Sequence, residues 1–303
     1  MLKTLHIFDL LPFVHAGHIN KHSRLEQLVD LGSTWKTQVT PTGGLSLLLN
    51  SLYPAMMEGD VIVASDRTPT VKRDMYPPYK ANRTHDNGIM LERMAAEYVL
   101  QKCNVTTVAR AGYEADDIIY TYVKRFHDQY DKIYIYTGDS DLYFLVDDVV
   151  EIRPSSSRAK TVTRENYEKV AFKNGMKYNC ITVYKMLAGD SSDGIAALTS
   201  AEQDQLIEAL YRDGFYEHLG DKDFVKYWVN MLCPQFNYRV DLLFPIELDD
   251  IPFNISSPDR QMIINFGDAI NNVNLRGRAA VDFDVNPYIA EMQNNGIYLE
   301  EDN

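Results

Sequence analysis

Carboxylates recur where the apolar stretches of this chain end. Eight of them lie at or shortly beyond such ends: Asp9, Asp66, Glu114, Asp116, Asp139, Asp141, Asp190 and Asp193. Taken singly, each of these acids could form a turn or cap a helix. Brought together, they would repel one another strongly unless cations offset their charge. Carboxylate oxygens suit hard divalent cations, so the set predicts a metal-binding site.

The ligand types also indicate which metal this site would take. No cysteine or histidine belongs to the acidic set, which favours Mg²⁺, with Mn²⁺ as a substitute, over Zn²⁺. Two such ions about 4 Å apart form the site that hydrolyses phosphodiesters in two-metal nucleases. The sequence therefore predicts two Mg²⁺ ions as cofactors.

Two other groups of potential ligands are poorer candidates. His15, His18 and His22 are spaced as on one helical face, but no acid or cysteine accompanies them at ligand spacing, so surface or capping roles are favoured. The three cysteines lie far apart and form no C-x-x-C pair. This pattern is expected of reduced, cytosolic thiols.

The elements that must position the acids alternate between strand and helix through about residue 155. Continuous apolar runs predict buried parallel strands in TLHIFDLL, DVIVASD, NVTTVAR and KIYIYTGD, with DVVEIR as an edge. Helical patterns lie between them, in GLSLLLNSLYPAMM, IMLERMAAEYVLQKC and EADDIIYTYVKRFHDQ. The alternation predicts an α/β fold with a mostly parallel central sheet and flanking helices. The acids would then meet where the carboxyl ends of the strands converge.

After RPSSSRAK the pattern becomes mainly helical. Four segments carry it: RENYEKVAFKNG, ITVYKMLAG, AEQDQLIEALYRDG and DFVKYWVNML. Ser200 and Gln203 are expected to form a capping box for the third of these helices. The final LEEDN is expected to be a frayed acidic tail. No stretch approaches the roughly 20 apolar residues that a membrane span needs.

The net charge of −13 argues at first against a nucleic-acid partner. The basic residues are concentrated, however, in two runs. Residues 67–83 hold five basic residues against one acid, and residues 158–185 hold seven against two. Either run alone is more typical of a solvated face than of a binding surface. Their meaning therefore depends on where they lie relative to the acids.

The order of the acidic motifs makes a resemblance specific. IFD, SD after a strand, YEADD, TGDSDLYFLV and GDSSDGI resemble the motifs of the 5′-nuclease superfamily, a PIN-like group. It includes flap endonucleases, the 5′-nuclease domain of bacterial DNA polymerase I, and phage 5′-exonucleases and RNase H enzymes; the chain is most similar to the phage replicative branch. The resemblance implies a catalytic domain over residues 1–155, with a helical arch at about 67–90. It also implies a mainly helical DNA-binding domain over residues 156–303, which supplies Asp190 and Asp193 to the site.

By this resemblance the acids divide between two metals. The first metal would be held by Asp66, Glu114, Asp116 and Asp139, with Asp9 beside them. The second metal would be held by Asp139, Asp141, Asp190 and Asp193. Asp139 would thus bridge the two ions. Asp117 is expected to cap its helix or to support the ligands.

The first basic run would supply the arch. KRDMYPPYKANR is similar to the family segment in which Lys80 and Arg83 would contact the scissile or a neighbouring phosphate, and Arg73 a further one. The resemblance makes Lys80, Arg83 and Asp139 the catalytic residues. Asp139 would bridge the metals, and a lysine near the metals can stabilise the charge of the transition state. Tyr76 and Tyr79 are candidates to stack on an unpaired base, although a tyrosine beside proline is as often simply packed against the protein. Three residues from the second run are expected to bind nucleic acid as well: Arg158, Lys160 and Lys185.

The sequence departs from the family just after its last acids. Gly194 stands where asparagine is usual, and no later glycine or lysine matches the glycine-rich hairpin that grips duplex backbone. Duplex binding is therefore expected to rest on the second basic run. It should be weaker and more sensitive to salt than in relatives that keep the hairpin.

These features predict a structure-specific, divalent-metal-dependent 5′→3′ nuclease with RNase H activity that removes RNA primers or 5′ flaps during DNA replication or repair. Expected partners are branched or nicked DNA and RNA–DNA hybrids with a 5′ end. A single-strand DNA-binding protein and a sliding clamp are candidate protein partners. The protein is expected to be a monomer with no membrane association, encoded by a phage and acting in the cytoplasm of its bacterial host.

Two alternatives stay open. A haloacid-dehalogenase-like phosphohydrolase would share IFDLL and GDSSD, but its chemistry needs an aspartate at position 11, which is Leu11. A non-catalytic nucleic-acid-binding scaffold with a decayed site would be favoured by a missing acid, and none is missing.

Overall fold

The structure, a computed structural model, describes residues 2–18, 23–32, 34–84, 86–155, 160–167, 181–213, 221–232, 234–272, 274–275 and 283–302. The chain divides into two compact units. The first unit comprises residues 1–3, 66–84 and 109–251, and the second unit comprises residues 4–65, 85–108 and 252–303. Both units draw on segments that are far apart in sequence. The domain boundary expected at residue 155 stays a prediction.

Strands and helices follow one another along the described residues. The strands are β1 (Thr4–Asp9), β2 (Arg24–Asp30), β3 (Trp35–Pro41), β4 (Asp60–Ser65), β5 (Thr106–Ala109), β6 (Lys132–Thr137), β7 (Val150–Pro154) and β8 (Leu299–Asp302). The helices are α1 (Leu10–His18), α2 (Gly43–Glu58), α3 (Thr70–Met75), α4 (Asn87–Lys102), α5 (Ala115–Phe126), α6 (Ile181–Ala188), α7 (Ser200–Asp213), α8 (Lys222–Leu232), α9 (Asn237–Leu243), α10 (Arg260–Ala269) and α11 (Asn286–Asn294). None of these described helices is both long and apolar enough to cross a membrane.

The second unit contains a parallel pair of strands. β1 pairs with β4, from Leu5 opposite Asp60 to Asp9 opposite Ala64, and β5 lies beside β4. All six residues of β1 are buried, as a continuous apolar run in a parallel sheet predicts. Helices α1, α2 and α4 pack on one another, and α1 and α2 also contact β4.

A small antiparallel sheet in this unit is absent from the sequence prediction. β2 and β3 form a hairpin, and β8 pairs with β3 from Val39 opposite Leu299 to Lys36 opposite Asp302. The expectation of a frayed tail is therefore wrong for residues 299–302. β8 is an edge strand, and pairing with β3 orders it along one side. Nζ of Lys36 lies 3.0 Å from Oε2 of Glu300 on the neighbouring strand.

The histidines near the N-terminus do not form a shared metal site in the described residues. Nδ1 of His18 lies 3.1 Å from Oε2 of Glu92, which is buried on α4. His15 is exposed, and His22 lies outside the described residues. His18 therefore links α1 to α4, and this contact fits the structural role that its sequence setting favours.

The first unit contains the second parallel pair. β6 pairs with β7, from Ile133 opposite Val150 to Thr137 opposite Pro154. Helices α6 to α9 lie in the same unit, and α6, α8 and α9 contribute to a buried apolar cluster that includes Met186, Trp228, Val229, Val240 and Phe244. The predicted fold class is confirmed: parallel strand pairs with flanking helices are followed by a mainly helical C-terminal region.

The capping box of α7 lies one residue earlier than predicted. The backbone N–H of Thr199 donates to Oε2 of Glu202 (2.8 Å), and the N–H of Glu202 lies 3.4 Å from Oγ1 of Thr199. The prediction of Ser200 with Gln203 is wrong by one residue, because the pair directly before it, Thr199 with Glu202, also has side chains suited to a capping box. Thr199 with Glu202 provides a carboxylate at the third helical position, and a carboxylate accepts hydrogen bonds more strongly than an amide.

Candidate metal centre

Asp139 and Asp141 lie in the turn that follows β6. The backbone N–H of Asp139 donates to Oγ1 of Thr137 (3.0 Å), and the N–H of Asp141 donates to Oδ1 of Asp139 (3.0 Å). Side-chain acceptors of this kind stabilise turns. The turn thus holds both carboxylates just beyond the carboxyl end of the strand, with Asp139 exposed and Asp141 half-buried.

Asp190 and Asp193 lie in the acidic loop (residues 190–195), which is closed by its own ends. The backbone groups of Asp190 and Ile195 exchange two hydrogen bonds of 2.8 Å. Gly194 has φ +73°, a left-handed conformation that glycine adopts readily and asparagine tolerates. Glycine therefore suits the backbone conformation that this position adopts.

Gly194 also permits a close approach to the arch segment (residues 67–84). A Cβ atom at this position would lie 2.5 Å from the carbonyl oxygen of Pro78. The N–H of Lys80 donates to the carbonyl of Asp193 (3.0 Å). The acidic loop and the arch segment are therefore joined through their backbones.

Gly194→Ala is expected to lower the free energy of unfolding by about 3 kcal/mol, because a left-handed Cβ costs about 1–2 kcal/mol and the clash adds about 1–3 kcal/mol. The matched control is Gly296→Ala, where φ is +75° but nothing lies within 4 Å of the added Cβ. That control should lose only the left-handed cost. Urea unfolding of both variants measures the difference, and equal losses would rule out the close packing of the acidic loop on the arch segment.

Three of the predicted ligands converge in the acid cluster (Asp141, Asp190 and Asp193). One oxygen from each lies within 4.8 Å of the other two. Three carboxylate oxygens at this spacing form a donor set that fits a hard divalent cation. Nζ of Lys185 contacts Oδ1 of Asp141 and lies 2.9 Å from Oδ2 of Asp190, so an ammonium offsets part of the charge.

Charge compensation within the acid cluster is incomplete. Burial and the charge of Asp139 raise the pKa of Asp141 to about 6, despite the contact with Lys185. Burial also raises the pKa of Asp193, although the charge of Lys80 opposes that shift. A divalent cation would favour the charged form of both acids.

Glu114 caps the N-terminus of α5 and is surrounded by donors from the arch segment. Its Oε2 accepts from Nζ of Lys72 (2.9 Å) and from the hydroxyl of Tyr79 (2.8 Å), and its Oε1 contacts Nζ of Lys80. Burial opposes ionisation, but Lys72 and Lys80 lower the pKa of Glu114 to about 2. Asp117 takes the cap role expected of it, since its Oδ2 accepts from the N–H of Glu114 (3.0 Å).

Two of the other predicted ligands lie at the N-terminus of α5, the helix that Glu114 caps. Oδ1 of Asp66 accepts from the N–H of Ala115 (3.2 Å), which brings Asp66 to the N-terminus of α5. Asp116 is half-buried in the first turn of that helix. Asp9, the last residue of β1, is buried and belongs to the second unit. Their roles as ligands stay predictions.

Tyr79 and Arg73 both contact other parts of the protein in this structure. The ring of Tyr79 is 2 % exposed and has no free face to stack on a base, contrary to the expectation. Arg73 donates from Nε to the carbonyl of Tyr79 and from Nη2 to the carbonyl of Lys80, both at 3.2 Å. These bonds brace Lys80, whose φ is +51°. Tyr79 is thus packed inside the protein and Arg73 braces the backbone of the arch segment, while the contact of Arg73 with a phosphate stays a prediction.

Lys80 and Arg83 lie beside the acids, as the resemblance implies. Nζ of Lys80 is 3.7 Å from Oδ1 of Asp193, and Nη2 of Arg83 is 2.9 Å from the same oxygen. Half of the Arg83 side chain remains exposed. Of the second basic run, Lys160 is exposed and Arg158 lies outside the described residues.

Two buried cations of this site carry no signal in the sequence. Lys72 is 4 % exposed and its Nζ lies 3.5 Å from Oδ1 of Asp117. Arg239 on α9 donates from Nη1 to the carbonyls of Met186 (3.1 Å) and Ala196 (2.6 Å), on either side of the acidic loop. Basic residues are mostly exposed, so a local pattern predicts a surface position for both. Only their tertiary contacts reveal these roles.

Comparison with known sequences gives concordant matches. The 5′-3′ exonuclease, N-terminal resolvase-like domain family matches residues 29–175. A DNA polymerase I of Caldicellulosiruptor bescii is 33 % identical over 156 residues, which is 50 % of this chain and 18 % of the polymerase. A 5′-3′ exonuclease of Aquifex aeolicus is 25 % identical over 221 residues, which is 72 % of each chain. This chain thus spans less than a fifth of the polymerase's length.

Solved structures with a similar fold include phage proteins. The bacteriophage T5 flap endonuclease, in a pseudo-enzyme–product complex with DNA and metal ions, has a TM-score of 0.53 at 19 % identity and covers 96 % of this chain and 98 % of its own. A T5 protein crystallised with metal ions has a TM-score of 0.52 at 15 % identity, with coverages of 96 % and 99 %. At such identities the likeness concerns the fold alone, and it confirms the predicted PIN-like fold.

Proposed function

We propose that this chain is a divalent-metal-dependent nuclease that hydrolyses phosphodiesters at or near a 5′ end, since residues 29–175 match the 5′-3′ exonuclease, N-terminal resolvase-like domain family. The observation that carries the proposal is the convergence of Asp141, Asp190 and Asp193 within 4.8 Å. This donor set contains only carboxylate oxygens, which hard divalent ions prefer. The Aquifex aeolicus relative, a 5′-3′ exonuclease, supports the same class of reaction.

Two groups of acids are proposed to hold two Mg²⁺ ions, with Mn²⁺ as a substitute. The acid cluster and Asp139 would hold one ion. The other would be held by Asp66, Glu114, Asp116 and Asp139. When bound, such ions activate water and offset the charge of the phosphate under attack. Glu114 would bind an ion only by giving up one of the hydrogen bonds that its oxygens now accept.

Lys80 and Arg83 are proposed to serve the substrate phosphate. Both cations now face the carboxylate of Asp193, and Arg73 braces the backbone that carries Lys80. If divalent ions took over the charge of the acids, the ammonium and the guanidinium could pair with the phosphate. Charge-assisted contacts of this kind stabilise the negative charge that grows in the transition state.

The proposed substrates are 5′ flaps and RNA–DNA hybrids, processed during phage-type DNA replication in a bacterial host cytoplasm. The similarity in fold to the T5 flap endonuclease supports a branched substrate. Lys160, exposed at the start of the second basic run, is a proposed contact to the duplex in place of the missing glycine-rich hairpin. The protein is further proposed to be a monomer. A single-strand DNA-binding protein or a sliding clamp is its proposed protein partner.

The test of this function compares three substrates. A 5′-labelled DNA flap, an RNA–DNA hybrid and p-nitrophenyl phosphate are incubated with Mg²⁺, with Mn²⁺ and with EDTA. We expect both nucleic acids to be cut with either metal and neither to be cut with EDTA. Hydrolysis of p-nitrophenyl phosphate without cleavage of either nucleic acid would favour the phosphohydrolase instead.

A further inference from the structure

Lys185 lies between two acids of the acid cluster. Its Nζ contacts Oδ1 of Asp141 and lies 2.9 Å from Oδ2 of Asp190. The side chain of Lys185 is 21 % exposed, and those of the two acids are 20 % and 13 % exposed. The ammonium is therefore paired with the protein's own carboxylates in this structure. From the sequence, Lys185 was expected to bind nucleic acid.

We propose that Lys185 is an internal counter-cation that a divalent ion must displace from the acid cluster. This inference rests on the proposed function, because it concerns the same site. It assigns to Lys185 a positioning role: the lysine keeps the cluster compact before metal binds and weakens the first binding of metal. A nucleic-acid phosphate that accepts the released ammonium would then favour metal binding.

The competition follows from geometry and charge. Lys185 uses one oxygen from each of two acids, and these two acids supply two of the three oxygens that converge. A divalent ion bound to the same oxygens would repel an ammonium that stayed within a few ångströms. The ion and the ammonium therefore exclude each other, although each is attracted to the cluster on its own.

The third acid keeps its own partners when Lys185 leaves. Asp193 is contacted by Arg83 and approached by Lys80, both from the arch segment. Loss of Lys185 therefore removes the ammonium from Asp141 and Asp190, while Arg83 and Lys80 keep positive charge beside the cluster. Removal of the lysine should for this reason strengthen metal binding and leave the loop able to form.

The proposal implies a coupling between metal and nucleic acid. If a phosphate stabilises the displaced ammonium, nucleic acid raises the affinity for metal, and metal raises the affinity for nucleic acid by the same factor. This mutual effect would run through one side chain. It should disappear when that side chain cannot carry charge.

The experiment measures Mn²⁺ binding to the free protein, by the electron paramagnetic resonance signal of unbound Mn²⁺. Lys185→Met and Lys185→Gln should each bind Mn²⁺ at the cluster about tenfold more tightly than the wild type. The gain should vanish when Asp190→Asn is added. The control is Lys124→Met, because Lys124 forms an exposed ion pair with Glu247 outside the cluster and should leave the affinity unchanged.

A second arm adds a single-stranded oligonucleotide with phosphorothioate linkages, which keeps the charge but resists cleavage. It should tighten Mn²⁺ binding by the wild type and not by Lys185→Met. Unchanged or weaker Mn²⁺ binding by both Lys185 variants, in proteins that unfold as cooperatively as the wild type, would overturn the inference. Failure of every form to bind Mn²⁺ would instead count against the proposed function itself, so the two failures are distinguishable.

Discussion

Asp141→Asn is expected to slow metal-dependent cleavage of a 5′ flap by about 10³-fold or more, since a divalent ion supplies several kcal/mol and each 1.36 kcal/mol is tenfold in rate. Asp141 contributes one of the three oxygens that converge in the acid cluster. The amide keeps the size of the side chain but loses the charge. The cluster would then hold a hard cation with fewer charged ligands.

The measurement is the single-turnover rate at saturating Mg²⁺, with thermal unfolding as a check that the variant is folded. Asp128→Asn is the matched control, because it makes the same chemical change at a fully exposed acid outside the cluster. The control should keep the wild-type rate. A rate for Asp141→Asn within tenfold of the wild type would show that the acid cluster does not serve the reaction.

Lys72→Met is expected to lower the free energy of unfolding by about 3–5 kcal/mol, the usual cost of removing one partner of a buried ion pair. Lys72 is 4 % exposed, and its Nζ lies 2.9 Å from Glu114 and 3.5 Å from Asp117. Without Lys72, the buried carboxylate of Asp117 loses the ammonium that lies beside it, and the buried carboxylate of Glu114 keeps only Lys80 as a cationic partner. Tyr79 would still donate to Glu114 but brings no charge.

Urea unfolding at neutral pH measures this loss. Lys124→Met serves again as the control, because its ion pair with Glu247 is about half exposed and should cost no more than about 1 kcal/mol. Lys72→Arg, which keeps the charge, should recover part of the stability. A loss below about 1 kcal/mol in Lys72→Met would mean that the buried pair is not what holds the arch segment to α5.

The sequence allowed the acids to be placed more reliably than their partners. Asp139 and Asp141 follow an apolar run that forms β6, so a local pattern sufficed to locate their turn. The spacing of Asp190 and Asp193 likewise predicts a loop. Which cation meets which acid depends on contacts between distant segments, as with Lys72 and Glu114, and no local period records such a pairing.

The burial of Tyr79 shows the same limit. Arg73 and Tyr79 lie in a basic, aromatic stretch that predicts a nucleic-acid contact. In the structure, nearby carbonyls satisfy Arg73, while burial and Glu114 fix Tyr79. A polar side chain near an unsatisfied backbone or carboxylate group forms a hydrogen bond with that group, because leaving either group unpaired and buried is costly.

The antiparallel sheet was missed for a related reason. β8 is a short, acidic strand, and the composition of LEEDN favours a solvated tail. Its partner β3 lies far earlier in the chain, with Lys36 opposite Asp302. A pairing of this kind is set by the tertiary fold, and strand propensity depends strongly on such context.

One measurement tests the proposed activity most directly. A duplex with a 5′ flap, labelled on the flap strand at its 5′ or its 3′ end, is incubated with the protein and Mg²⁺, and the lengths of the labelled products are measured. We expect the 5′ label to appear in short products while the 3′ label stays on long ones. With EDTA, both labels should stay on the uncut strand. Cleavage that persists in EDTA, short products that carry the 3′ label first, or an intact flap in Mg²⁺ would each contradict a metal-dependent 5′ nuclease.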